Sequence, residues 1–323
     1  MVSEITVSMK SVHIKTILSA FAIFSGIQAQ ALEKNLYGTF SAGSTGIGIG
    51  VETKINDWLG VRGGFDFMPH FTKTLQFSMT TGNDFNDPQA QEEKFNNMKS
   101  ELAEYTGISI DRKVDMKAEP SFRNFNITVD FHPLAEHRNW RISAGLYWSF
   151  SKTIGTTANA IYDSPALVCA NIFNNLYDRA MYSYFNDTEF IFGIGATDDI
   201  FDKFYGWGKM GMFIGDSIDG GGAYFMVPDG NCTVSARMTT NKIKPYLGIG
   251  YEGPVIKGDD RYRVSFDLGA LFWGGSPKVI THEGVDIAHD LRNLNGQIQK
   301  YIDISNRLTV YPVIRIGISR RLF

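Results

Sequence analysis

From position 313 to the carboxy terminus, alternate residues fall on opposite sides of the chain. Ile314, Ile316, Ile318 and Leu322 share one side, and Val313, Arg315, Gly317, Ser319 and Arg321 the other. A repeat of two residues is the period of a β-strand. Seven earlier segments repeat it. Leu36 to Gly43 comes first; Gly46 to Ile55 then sets Ile47, Ile49, Val51 and Ile55 against Gly48, Gly50, Glu52 and Lys54. The third opposes Leu59, Val61, Phe65 and Phe67 to Arg62, Gly64, Asp66 and Met68, and the fourth Phe125, Ile127, Val129 and Phe131 to Asn124, Asn126, Thr128 and Asp130. Trp140 to Phe150, Leu247 to Tyr251 and Tyr262 to Phe272 continue the series. Each spans about 8 to 13 residues, close to what a tilted strand needs to cross a bilayer.

A soluble β-sandwich also alternates. Here the apolar faces carry aromatics at their ends (Trp58, Phe67, Phe131, Trp140, Tyr251, Tyr262, Phe272, Tyr311), as the girdles of a membrane barrel do. The opposite faces carry charge or glycine, which a dry sandwich core does not accept unpaired. The pattern therefore predicts a transmembrane antiparallel up-and-down β-barrel. Short connections at Asn56-Asp57, His132 to Asn139 and Glu252 to Asp260 suit the periplasmic side, and a tight one near Ser44-Thr45 the outside. Long insertions at 70–120, 153–235 and 274–309 suit external loops. This count gives eight strands. Ten is the alternative, with a turn at Asn241 to Lys244 and a further strand near Pro277 to Thr281.

Within the insertions, a short helix is expected from Pro88 and strand extensions over Gly206 to Asp216 and Gly222 to Val227. Ala288, Leu291, Leu294, Ile298 and Tyr301 recur at helical spacing, predicting one short amphipathic helix before the last strand. That helix lacks a basic polar face, so it suits the barrel mouth better than a lipid surface.

Residues 1–31 read as a secretory signal: Lys10 and Lys15, an apolar core from Thr16 to Gly26, and the small-x-small Ala29-Gln30-Ala31. Met9 is the more natural start, which sets residues 1–8 apart as an extension. The barrel then occupies 32–323. A net charge of −3 gives no reason to expect a nucleic-acid partner. No cofactor or metal motif stands out, and glycine runs such as Gly46 to Gly50 lack the strand–loop–helix setting of a phosphate cradle.

Candidate chemistry gathers on the inward faces. Glu52, Arg62, Asp66, Asp130, Arg141, Glu252, Arg263, Asp267 and Arg315 make five acids and four bases inside a lumen just wide enough for side chains. Unpaired charges there are costly, so a mutual ion-pair network is expected, with a gated path as the competing use. The histidines are scattered, and no Ser–His–acid spacing is visible. Cys169 and Cys232 fall within the 153–235 insertion and either pair as a disulfide across its two flanks or remain thiols. Tyr182, Tyr184, Trp207, Tyr224 and Phe225 are aromatics of the kind that anchor a loop binding surface.

The stretches KPYLGIGYEGP, YRVSFDLGALFWGGSPKV and YPVIRIGISRRLF, with NDWLGVRGGFDF and RNWRISAG upstream, carry a resemblance. Together they resemble a family of small, largely uncharacterised outer-membrane barrels of Gram-negative bacteria, similar to the OmpA transmembrane domain. The resemblance covers about half the chain. Arg320 stands where it implies an aromatic, a departure that a terminal bulge accommodates. It implies a fold and a compartment, the cell outer membrane, and no catalytic residues. Expected partners are outer-membrane lipid and lipopolysaccharide, the barrel-assembly machinery through the last strand, and an external ligand. The expected function is a closed barrel with a structural or adhesive surface role and no enzymatic activity. A small-solute, porin-like channel and a lipid-modifying enzyme are the alternatives.

Overall fold

The computed structural model describes residues 36–81, 88–107, 111–134, 136–160, 164–307 and 309–322. The signal expected at 1–31 lies outside them. Eight strands form a closed antiparallel barrel in chain order: β1 (Leu36–Gly43), β2 (Gly46–Lys54), β3 (Leu59–Phe67), β4 (Arg123–Phe131), β5 (Trp140–Ser149), β6 (Ile243–Ile256), β7 (Asp259–Phe272) and β8 (Val310–Arg321). β8 pairs with β1 from Tyr37↔Arg321 to Gly43↔Arg315 without a shift, so the ladder closes and no terminal bulge forms. Arg320 instead points outward, its guanidinium 5.9 Å from the Tyr262 ring centre.

The outward face of the barrel is the apolar one. Ile49, Ile127, Ile142, Leu247, Phe266 and Ile316 are all exposed, with Trp58, Phe131, Trp140, Tyr251 and Tyr262 at one end. Tyr311 does not belong to that girdle. It shares parity with Val313 and Arg315, so it turns over the barrel mouth and stacks on Trp273 with ring centres 5.2 Å apart.

The long insertions build a second body on one end of the barrel. Five barrel strands resume above a short break. Lys73–Ser78, Lys113–Pro120, Thr153–Asn159, Ser235–Thr239 and Lys278–Thr281 form a sheet in the same lateral order as β3, β4, β5, β6 and β7 beneath them. Backbone bonds such as Met68 N–H to Phe122 O (2.8 Å) and Ser121 N–H to Ile154 O (2.7 Å) bridge the break. The segment that argued for ten strands, Lys278–Thr281, thus pairs with Ser235–Thr239 in this upper sheet and not in the barrel.

A smaller sheet faces it, with Met210–Ser217 between Ala223–Met226 and Leu291–Arg292. Among the described residues four helices complete the head: α1 (Pro88–Thr106), α2 (Pro165–Asn186), α3 (Asp198–Trp207) and α4 (Gly296–Arg307). Pro165 opens α2, where its fixed φ and missing N–H are harmless. The Thr197 hydroxyl accepts from Ile200 N–H at the start of α3, and Gly208 at φ +70° ends it. The helix expected from Ala288 begins only at Gly296. Gly284 (φ +93°) and Asn293 (φ +49°) break the earlier stretch, and Leu291 pairs with Ser217 as strand. Met79, Phe95, Met98, Met116, Leu167, Ala170, Met210 and Ile214 form the buried core of the head.

Candidate functional site

The barrel strands place a connected set of charges inside the lumen. Arg141, 2% exposed, ion-pairs with Glu252 and, at 2.9 Å, with Asp267. Arg62 reaches Asp267 at 3.1 Å and Asp130 at 2.6 Å, and Ser143 donates to Asp130 at 2.6 Å. Arg263 pairs with Glu252, which Lys54 approaches to 3.7 Å. Nearer the head Arg315 pairs with Asp66 and donates to Tyr147 Oη at 2.8 Å; Asn126 donates to Asp66 at 3.1 Å. Glu52 is buried at the same level as Arg62 and makes no ion pair among the described residues; its Oε1 has no hydrogen bond. Eight of the nine sequence-selected charges are thus paired with one another, and Lys54 joins them.

Sequence reasoning missed Lys244, fully buried above the network and bonded to Ser149 Oγ. Its signal was its place on the inward face of β6, in step with Tyr246 and Gly248. Two small voids along the lumen measure about 10 and 30 Å³, room for no more than a water or two.

Above the charges the filling changes. Tyr147 and Tyr246 lie with ring centres 5.5 Å apart, and Phe122, Trp273 and Tyr311 form a layer over them. Tyr246 fits because Gly269 has no side chain: a Cβ there would stand 2.5 Å from its ring. On this floor rests a chamber of about 540 Å³, bounded by the upper sheet, by Met212, Ile214 and Met226 of the smaller sheet, and by Ile298 and Ile302 of α4. Its volume is within the roughly 300–1,000 Å³ typical of small-molecule sites. No single strand announces it; it exists only because two sheets and a helix meet.

The remaining candidates do not converge. Tyr182 is exposed on α2, and Tyr184 stacks on Phe201 at 4.0 Å. A hydrogen bond to Asp198 holds the Tyr184 phenol above its usual pKa. Trp207 packs on Phe173 and Phe204, and Phe225 on Phe213. Tyr224 bonds Thr281 Oγ1 at 3.0 Å and the Glu283 carboxylate, and burial followed by that carboxylate pushes its pKa up. Tyr184, Trp207, Tyr224 and Phe225 thus pack in separate parts of the head, while Tyr182 stands exposed on α2.

Cys169 and Cys232 are two free thiols and form no disulfide. Cys169 sits on α2. Cys232 lies in a turn held by Asp229, at φ +56°, with Asn171 Nδ2 at 3.5 Å from its sulfur. Burial pushes the Cys169 thiol up.

The structure also aligns three residues the sequence kept apart: Ser276 Oγ is 3.1 Å from His289 Nε2, and His289 Nδ1 is 3.0 Å from Asp286. Asp286 meanwhile accepts the backbone N–H groups of Val279 and Ala288 at 3.2 Å, the work of a turn hub. Ser276 does not line the chamber, and Pro277 after it has no N–H to offer an oxyanion. The trio therefore ties a turn.

No family model matches the chain, and no curated protein sequence matches it. Among solved structures it is similar to that of Acinetobacter baumannii CarO2, with 14% identity over 88% of this chain and 97% of that one and a TM-score of 0.36. It is likewise similar to Acinetobacter baumannii CarO, with 12% identity over 91% of this chain and 99% of that one and a TM-score of 0.37. These likenesses assign no activity to the chain.

Proposed function

We propose that the chain is an integral outer-membrane barrel that is closed to solutes and works at the cell surface through its external head. The observation that carries this reading is the contrast in free space, about 30 Å³ at most in either lumen void against about 540 Å³ in the head. An exposed apolar wall with aromatic ends fits lipid contact, and lipopolysaccharide is the partner that such a barrel meets on its outer side. The last strand, apolar on alternate residues, is the segment offered to the barrel-assembly machinery. A charged plug in which Arg62, Arg141, Arg263 and Arg315 each meet an acid is a structural stopper, not a conduit.

Planar-bilayer recordings test this. The purified protein is expected to show no steady conductance at any holding voltage. A stable open level in the unaltered protein overturns the closed-anchor reading and favours the channel.

A further inference from the structure

The chamber has a breach in its wall, and the barrel topology says where. Five of the eight barrel strands continue into the head; the three that stop, β8, β1 and β2, are lateral neighbours. β1 and β2 simply turn back on each other at Ser44-Thr45. The lips of the opening are Phe71 on one side and Tyr301 and Ile304 of α4 on the other. These chamber-lining residues are 52%, 45% and 57% exposed. Its sill is made by Met68 and Tyr311, the latter donating to the Ser44 carbonyl at 2.7 Å. Their chain neighbours Phe67 and Val310 are exposed on the outer wall of the barrel. The chamber therefore opens sideways, at the upper edge of the apolar band, where the outer leaflet ends.

The lining says what fits. Five methionines (Met68, Met116, Met212, Met226 and Met238) line it with aliphatic and aromatic neighbours. Methionine surfaces adapt to flexible apolar shapes and specify rigid ones poorly. Lys73 is the one cation among the lining residues and Glu119 the one carboxylate, which accepts from Thr72 Oγ1 at 3.4 Å. The lysine is exposed at the inward face of the strand that edges the breach, and makes no ion pair among the described residues.

Resting on the reading that the chain works at the cell surface through its head, we propose that the chamber takes the hydrocarbon chain of a single-chain anionic amphiphile. The ligand enters laterally from the outer leaflet over the β1–β2 turn and keeps its head group at Lys73. The chain is buried among apolar residues, the driving force for its transfer, while the carboxylate or phosphate stays in water beside a cation.

The test uses the full mature protein in phosphatidylcholine nanodiscs, with palmitate and lysophosphatidate as the two anionic probes and monopalmitoylglycerol as the neutral one. A chain-terminal diazirine is expected to label Met68, Met238 or Trp273. Ala118→Trp, which fills the chamber, should weaken both anionic probes at least tenfold in a barrel that remains heat-modifiable on gels. Lys73→Gln should weaken them severalfold and leave the neutral chain unchanged; which anion suffers more identifies carboxylate or phosphate as the natural head. Phe71→Asp with Ile304→Asp should slow loading from the bilayer severalfold without slowing water-soluble octanoate. Labelling confined to lipid-facing residues such as Ile127 and Ile316, or undiminished binding to a folded Ala118→Trp protein, overturns the site. If that variant fails to assemble, the labelling map of the unaltered protein decides alone. Equal loss of all three chains in Lys73→Gln overturns the head-group assignment, and equal slowing of octanoate overturns the lateral route. Conductance addresses the closed anchor separately, so either idea can fail without the other.

Discussion

One continuous line of side chains compares the lumen with the chamber directly. Along the strand that leads into β4 and through it, every second residue faces inward: Val114, Met116, Ala118, Pro120, Phe122, then Asn124, Asn126, Thr128, Asp130 and His132. The outward partners read Lys113, Asp115, Lys117, Glu119, Ser121, Arg123, then Phe125, Ile127, Val129 and Phe131. Parity never slips, yet polarity inverts on both faces within four residues, at 122–125. Below the inversion the outside is apolar and the inside polar; above it the reverse holds. A wall between lipid and a polar filling needs the first arrangement, and a water-facing wall around an apolar core needs the second. The inversion marks where the membrane reading stops and the head begins, from this chain's own residues.

The two compartments should break differently. The largest effect is expected in the lumen. Arg141→Met removes the cation shared by Glu252 and Asp267 and leaves those carboxylates buried with fewer partners. The barrel should lose about 3–5 kcal/mol, the usual penalty for breaking a buried pair from one side. Urea-induced unfolding in lipid, followed by gel mobility, measures it; an unchanged midpoint would mean that water reaches the plug.

The inversion itself is tested by a matched pair on one face of one strand line. Val129→Lys sets an ammonium in the apolar band and should cost about 2–4 kcal/mol if that band lies in hydrocarbon. Lys117→Val, on the same face above the inversion, should stay within about 0.5 kcal/mol. Equal effects at both positions would remove the membrane boundary from 122–125.

Much of this was legible in the sequence, and the limit has a physical cause. All eight barrel strands appear as alternating runs because one face stays apolar and the other polar along their length. The nine lumen charges follow from the same parity. The upper strands are shorter and carry the opposite polarity, so KVDMKAEP at 113–120 reads as loop until its outward lysines are recognised as facing water. The chamber draws residues from strands far apart in sequence, such as Met68, Ile154, Met238 and Ile302, and no local pattern joins them. Tyr311 misleads because an aromatic next to an outward strand end resembles a girdle residue, although parity turns it inward. Helical spacing over 288–301 misleads in the same way, since a periodic pattern says nothing about the left-handed residue at Asn293 that interrupts it.

A smaller effect sharpens the boundary between the compartments. Gly269→Ala sets a methyl against the Tyr246 ring, between the charge network and the aromatic floor. Overpacking of this kind costs about 1–3 kcal/mol. The tyrosine is expected to tilt toward the chamber, so the variant should also change near-ultraviolet dichroism while the barrel stays closed in conductance measurements. Retained dichroism with full stability would show that Tyr246 does not depend on that gap.

The smallest effect is expected at the sulfurs, and it separates a head held by packing from one held by a crosslink. Cys169 and Cys232 are both packed against the apolar core of the head and are not joined. Reductant should therefore leave the unfolding midpoint of the head where it was, whereas removing a disulfide from such a loop would cost about 2–4 kcal/mol. Burial holds the Cys169 thiol above its ordinary pKa, so at neutral pH it carries less thiolate than a free cysteine does. Since the thiolate is the reacting form, alkylation by iodoacetamide should be slow near neutrality and quicken as pH rises toward the raised value. In urea both sulfurs should react at the rate of unstructured cysteine. A protein that yields its thiols only after reduction, or whose head loses stability in reductant, carries a crosslink and rests on more than apolar burial.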